Sequence, residues 1–201
     1  LIVVSGPSGS GKNRVISEVM KVTHGLSYSV SATTRQKRPG ERNGVNYHFV
    51  SLDKFQDMIR QDGLLEYAEV YGNFYGTPRK PVEDVLAAGE DVILDLDVQG
   101  ALQIGERCPD AVLVFLLPPS IAELERRIRS RGTDDEVTIQ RRMNSALREI
   151  SALSQYTYAI VNDELEDAVR TLAAIIEAER CRTSRFVRAS SDEMSSQSNR
   201  E

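Results

Sequence analysis

An α/β fold built on a parallel sheet is what the sequence predicts, and three features carry that prediction. Residues 1–4 form a short apolar run that ends in a Gly-rich turn, and Val15, Ile16, Val19 and Met20 follow at helical spacing, which reads strand, loop, helix. Two more apolar runs, 92–96 and 112–117, are separated by a helix-like stretch at 98–107, and Ala159-Ile160-Val161 adds a later one. Alternation of this kind joins parallel strands through crossover helices. Between the first helix and Val92 the texture changes: Tyr28 alternates with Val30, and then Tyr47-His48-Phe49-Val50, 64–70 and Phe74-Tyr75 are punctuated by glycines, the pattern of a small inserted sheet.

Downstream, residues 120–155 are highly charged and carry Leu124, Ile128, Ile139, Met143 and Leu147 in helical periods, interrupted by Arg131-Gly132-Thr133-Asp134. This predicts a helical hairpin bearing cations. Leu165, Val169, Leu172, Ile175 and Ile176 lie on one stripe of a helix at 164–181 that packs on the sheet, and from Ser190 the chain turns Ser-rich and apolar-poor, as a disordered tail does. The expected division is a core of residues 1–31, 85–118 and 156–185, an inserted subdomain at 32–84, a lid at 119–155 and a tail at 186–201.

A 201-residue chain that is 40% hydrophobic can bury a sizeable core as one unit. Its net charge of -5 argues against nucleic-acid or polybasic membrane partners, so any phosphate recognition must be local. Cys108 and Cys181 form no CxxC pair and only two histidines are present, so neither a disulfide framework nor a zinc site is indicated, and a cytoplasmic setting is expected. The apolar runs are strand-length, far short of the ~20 residues that span a bilayer. The sequence opens inside an apolar run without Met or a signal-peptide pattern, so native residues are expected to precede Leu1.

Gly6-Pro7-Ser8-Gly9-Ser10-Gly11-Lys12 matches G-x-x-x-x-G-K, directly after a predicted strand and opening a predicted helix. In that context the pattern is a phosphate cradle: the P-loop. The glycines let successive N–H groups converge on phosphate oxygens, the helix N-terminus adds a favourable dipole, and Lys12 brings charge to a transferring phosphoryl group. Asn13 stands where a Ser or Thr hydroxyl normally reaches Mg²⁺, and Arg14 follows it. The Asn amide oxygen is a neutral hard ligand that can contact Mg²⁺ directly or leave a water in that place.

A P-loop fixes a nucleotide donor without naming the acceptor. Residues 31–41 concentrate hydroxyls and arginines, including Ser31, Arg35 and Arg38 ahead of Glu41, with Tyr47 close behind. Arg presents a planar fork that matches phosphate oxygens, and tyrosine hydroxyls add donors without extra charge. Asp95 and Asp97 follow the run Val92-Ile93-Leu94, at the end of a predicted central strand, where α/β proteins bind ligands. Asp95 suits a metal-ligand role. No catalytic triad, paired glycosidase-like acids or His cluster competes, and His24 and His48 read as structural.

At these residues the chain resembles the guanylate kinase family of the bacterial type. The stretches that carry the resemblance are SGPSGSGK, SATTRQKRPGERNGVNYHFV, LLEYAEVYGNFYGTP, VILDLDVQGA, LPPS, RRIRSRGTD and YAIVND, running from Val3 to about residue 185. The resemblance implies a P-loop core, a small mixed sheet for the monophosphate and a helical lid. It implies that ATP is bound by Gly6, Ser8, Gly9, Ser10, Gly11, Lys12, Asn13 and Arg14, by Arg127 from the lid, and at the adenine by Asn162 and Asp163. GMP would be held by Ser31, Arg35, Arg38, Glu41, Tyr47, Tyr75 and Asp97, with Glu66 and Thr77 facing guanine. Lys12, Arg38, Arg131 and Arg142 would act on the transferring group, and Mg²⁺ would rest on Asp95 and Asn13. Arg126, Arg129 and Arg141 are read instead as a solvated helix face.

A carboxylate at Glu66 can accept from both the ring N–H and the exocyclic amino group of guanine, donors that adenine does not present together. The implied reaction is ATP + GMP giving ADP + GDP, with dGMP also accepted, in a monomer or small homo-oligomer. Two other functions stay open. A non-catalytic guanylate-kinase-like binding module has Asn13 in its favour, and a kinase of another nucleoside monophosphate is opposed by Glu66 with Thr77.

Overall fold

Strand β1 (Ile2–Ser5) buries every one of its side chains, and the sheet is built outward from it. The computed structural model describes residues 1–70, 72–130 and 135–185. Tyr71, the 131–134 turn with Arg131, and the 186–201 segment expected as a tail lie outside the described residues. β1 is flanked by β7 (Asp91–Asp95) and β8 (Val112–Leu117), and beyond them by β2 (Leu26–Tyr28) and β9 (Tyr158–Val161), giving the order β2-β7-β1-β8-β9. All four pairings are parallel, so the ends of the strands that carry Ser5, Asp95 and Val161 share one edge, where open α/β sheets bind ligands.

Alternation along β1 feeds two cores. Ile2 and Val4 pack with Val15, Ile16 and Val19 of α1 (Lys12–Val22) and with Ala168, Leu172 and Ile176 of α7 (Leu165–Arg180). Val3 packs on the other face with Val82 of α3 (Arg79–Ala87) and with Ala101 and Ile104 of α4 (Val98–Arg107). The expected boundary between residues 84 and 85 falls inside α3, whose Val82, Val85 and Leu86 all join the core cluster. Tyr28, whose alternation with Val30 suggested the small sheet, pairs with Ile93 at the edge of the core sheet.

A second sheet has the order β4-β3-β6-β5. Its strands are β3 (Ala32–Thr33), β4 (His48–Phe49), β5 (Leu64–Val70) and β6 (Asn73–Pro78); β3 and β4 pair parallel, and β6 runs antiparallel to β3 and β5. The β5–β6 register slips between Leu64 and Tyr67, a bulge beside Glu66. One helix the sequence reading passed over covers this sheet: α2 (Leu52–Arg60), capped by Ser51 Oγ accepting from the Lys54 N–H, inserts Phe55 between Ala32 and Leu64. The expected helical hairpin is α5 (Ile121–Arg129) against α6 (Glu136–Ile150), joined through Leu124, Ile128, Ile139, Met143 and Ala146 and capped by Ser120 and Asp135. No helix among the described residues is long and apolar enough to cross a membrane.

Phe55 is the one aromatic fully buried in this core, beside Ala32 and Leu64, with Val50, Met58, Ile59, Tyr67 and Phe74 packed around it. Phe55→Ala is expected to destabilise by about 3–5 kcal/mol, the usual range for deleting a buried aromatic. Urea unfolding followed by circular dichroism measures it, and a loss below 1 kcal/mol would show that this small core does not hold the second sheet.

Candidate active site

Residues 6–11 pass very close to the ends of two strands. A β-carbon at Gly6, whose φ is 145°, would stand 2.3 Å from the Leu116 carbonyl oxygen, and one at Gly11, whose φ is 90°, would stand 2.4 Å from Asn162 Nδ2. Only glycine fits these positions. Gly11 is the N-cap of α1 and contributes no side-chain cap, which leaves the start of the helix open to an anion. Lys12 Nζ donates to the Gly6 carbonyl at 2.7 Å and bridges the two ends of the loop.

Asn162, expected at the adenine, is bonded within the protein. Its Nδ2 donates to the Ser10 carbonyl at 2.6 Å in a buried contact that ties the loop to the end of β9. Arg127, expected in the lid's grip on ATP, donates to Glu123 at 2.7 Å and to the Asn162 carbonyl at 3.2 Å. Asp163 is exposed.

Between the loop and α6 lies a cleft of about 950 Å³. Besides 6–14, it is lined by Arg142, as expected, by Arg141, Ser145, Arg148 and Glu149 from α6, and by Glu69, Val70, Asp97 and Gln99 on the side of the second sheet. Arg141, assigned to a solvated face, is exposed and also borders the cleft, whereas Arg148 and Glu149 were not singled out at all. Positions 141, 145, 148 and 149 share one side of a helix with Arg142 beside them, a spacing that was available in the sequence. Arg126 and Arg129 do sit on the solvated face, paired with Glu123, Glu125 and Glu136. Burial pushes the Glu149 carboxyl up from the usual range, while the Ser145 hydroxyl and Lys12 oppose the shift.

A neighbouring recess of about 360 Å³ shares Lys12, Asn13, Val70 and Asp97 with the cleft and also gathers Ser31, Arg35, Arg38, Tyr47, Glu66, Tyr75 and Asp95. Arg35 is held by a forked ion pair, Nη1 to Glu41 Oε2 at 3.1 Å and Nη2 to Oε1 at 2.8 Å, and lies 5.4 and 5.7 Å from the ring centres of Tyr47 and Phe49. Glu41, expected to touch GMP, is therefore occupied in aiming Arg35, and it also accepts from the Arg38 N–H at 2.8 Å. The Arg35 hydrogen bond, helped by that amide, holds its carboxyl below the usual range. Phe49 went unread because a Phe on a two-residue strand carries no chemical signal of its own.

Glu66 is 3% exposed and accepts from Thr77 Oγ1 at 2.7 Å. Burial raises its carboxyl to about 7; the Thr77 hydroxyl and Arg107 work against that shift, and Asp97 adds to it. Asp97 is the N-cap of α4, its Oδ1 accepting from the Gly100 N–H at 2.9 Å. Burial also pushes Asp95 up, with Lys12 opposing.

A P-loop between a parallel sheet and a cationic helix, facing a second recess with its own arginines and a buried carboxylate, defines a nucleotide-binding protein with two recesses that meet at Lys12. Residues 1–179 match the family model described as guanylate kinase. The chain is 51% identical over 185 residues to a guanylate kinase of Desulfitobacterium hafniense, covering 92% of each chain, and 50% identical over 188 residues to one of Latilactobacillus sakei, covering 93% of each. Among solved structures, a guanylate kinase from Anaplasma phagocytophilum superposes with a TM-score of 0.75 at 35% identity, over 91% of this chain and 87% of that one. The chain belongs to the guanylate kinase family.

Two predictions rest on this geometry. Asn162→Ala removes the tie to Ser10 and is expected to cost about 1–3 kcal/mol and to speed amide exchange across 9–12; unchanged exchange there would mean that the loop holds itself. Glu66 titrates near 7 when folded against a reference of 4.5. The folded state thus binds the extra proton between those values, and stability falls as pH rises from 4.5 towards 7, by about 3 kcal/mol from this group. Melting curves of the protein and of Glu66→Gln should diverge in slope across that window, and parallel curves would remove the assignment.

Proposed function

We infer that the chain transfers the γ-phosphoryl group of ATP to GMP, giving ADP and GDP. The single observation that carries this reading is the meeting of two anion recesses at Lys12, one bounded by the P-loop and the arginines of α6, the other by Arg35, Arg38, the two tyrosines and Glu66. Phosphoryl transfer needs in-line oxygens and charge stabilisation more than covalent help. The uncapped amides of the loop bind the donor phosphates, and Lys12 exchanges the Gly6 carbonyl for a phosphate oxygen. Arg35, already forked by Glu41, and Arg38 with Tyr47 and Tyr75 hold the acceptor phosphate. Glu66 in its ionised form accepts from the two donors on guanine, and adenine would leave that buried carboxylate unpartnered.

The donor set suits Mg²⁺. Asn13 and Asp95 offer hard oxygens, and no cluster of three or more His, Cys, Asp or Glu side chains that could hold a metal occurs among the described residues. Mg²⁺ is normally bound by one or two carboxylates with phosphate oxygens and water completing the shell. When bound it supplies charge neutralisation on the phosphates, and Asn13 and Asp95 are the residues that would hold it. Arg142, Arg141 and Arg148 stand on the lid helix where they can add positive charge and exclude water. The contacts grip base and phosphate, so dGMP is a substrate too. Nothing in this scheme needs a nucleic acid, a membrane or the cysteines, and it fits a cytoplasmic enzyme.

Asn13 favours one other reading, a module that binds GMP-like ligands without turnover. A coupled ADP-release assay with Mg-ATP and each nucleoside monophosphate, with Lys12→Ala as the blank, separates the two. The expected result is GMP-dependent turnover of ~1–100 per second, with dGMP accepted and AMP, CMP and UMP poor. Retained GMP binding without turnover would establish the binding module, and a preference for AMP would overturn the role given to Glu66.

A further inference from the structure

One face of α4 follows the bulge in β5 residue by residue. Gly100, Gln103 and Arg107 lie at i, i+3 and i+7, on one side of the helix. Arg107 Nη1 donates to the Leu65 carbonyl at 2.8 Å. The Gln103 side chain accepts from the Tyr67 N–H at 3.3 Å and donates to the Tyr67 carbonyl at 2.9 Å, as a neighbouring strand would. Between those two pins, Glu66 reaches Gly100. A β-carbon at Gly100 would stand 2.7 Å from Glu66 Oε2 and 3.2 Å from its Cδ.

The backbone at Gly100 does not ask for glycine. It is the third residue of a regular helix, with no left-handed φ, where glycine is less favourable than alanine by about 1 kcal/mol. What it provides is room. Thr77 Oγ1 fixes Oε1 of Glu66 from the side of the small sheet, and the missing side chain at Gly100 leaves a seat for Oε2 at the start of α4, where a helix favours negative charge. The bulge supplies the third constraint: the extra residue between Leu64 and Tyr67 is the register change that re-aims a strand side chain.

We propose that Gly100 is a specificity-determining position for guanine, acting through Glu66, with Gln103 as its positioning partner. Given the reading of Glu66 above, on which this rests, the choice of base is set from the core helix as much as from the small sheet. A methyl group at position 100 rotates the carboxylate off its seat, so that its two oxygens no longer meet both the ring N–H and the exocyclic amino group. IMP has the ring N–H but lacks the amino group, so it has one such contact to lose where GMP has two.

The test is binding and turnover of GMP and IMP by the unaltered protein, by Gly100→Ala and by Gln103→Ala, with thermal melting of each. In Gly100→Ala the affinity for GMP is expected to fall about tenfold or more, as for loss of one hydrogen bond to a charged group. IMP should fall distinctly less, the KM for ATP should stay unchanged, and the melting temperature should not drop. Gln103→Ala should lower the GMP-to-IMP ratio in the same direction by a smaller factor. A merely structural role would weaken both nucleotides equally, so an unchanged ratio in Gly100→Ala overturns the proposal. Should that variant fail to fold, the ratio in Gln103→Ala decides in the same way. If the unaltered protein shows no preference for GMP over IMP, the role given to Glu66 falls first and this inference with it.

Discussion

The site depends on one steric constraint, the approach of residues 6–11 to the ends of β8 and β9. The turn after β1 must leave its donors pointing inward while its outer surface is pressed against the Leu116 carbonyl and the Asn162 amide. Side chains at Gly6 and Gly11 would push the loop off the sheet, and the N–H groups would no longer converge. The cradle is thus rigid because it is wedged. Its position relative to β7 follows, since β1 pairs with β7 on one side and β8 on the other.

With the cradle fixed, Lys12 becomes the point shared by two recesses of different construction. The first is open and cationic, bounded by a helix pair whose own core is small. The second is bounded by polar residues of the small sheet, its loop and the end of β7 that are held within the protein: Glu41 forks Arg35, Thr77 grips Glu66, and Asp97 caps α4. Several groups expected to meet a ligand therefore spend their hydrogen bonds positioning others. Such pairing keeps buried charges satisfied and limits the reorientation left for the chemical step.

The core was legible in the sequence. Its strands are apolar runs, its crossover helices have clear stripes, and the predicted 98–107 and 112–117 elements have the same bounds as α4 and β8. The inserted region was read less fully. Aromatic residues and glycines suggested strands throughout, while α2, whose Leu52, Phe55, Met58 and Ile59 do follow a helical spacing behind a Ser51 cap, passed unread. Its helical signal is nine residues long and sits among β-formers, so local preference alone does not decide it.

The sequence by itself determined the α/β class and the phosphate cradle, because those rest on local rules: glycine where the backbone must bend, period 2 or 3.6 where a face is buried, a lysine at the head of a helix; the family was legible through the resemblance of longer stretches. Only the tertiary structure decided which groups Asn162, Glu41, Arg127 and Gly100 meet. Asn162 and Ser10 are 152 positions apart, and Gly100 meets Glu66 across the junction of two sheets. A residue's partner at such separation is fixed by how the helices pack, and neither the side chain's type nor its neighbours in sequence carry that information.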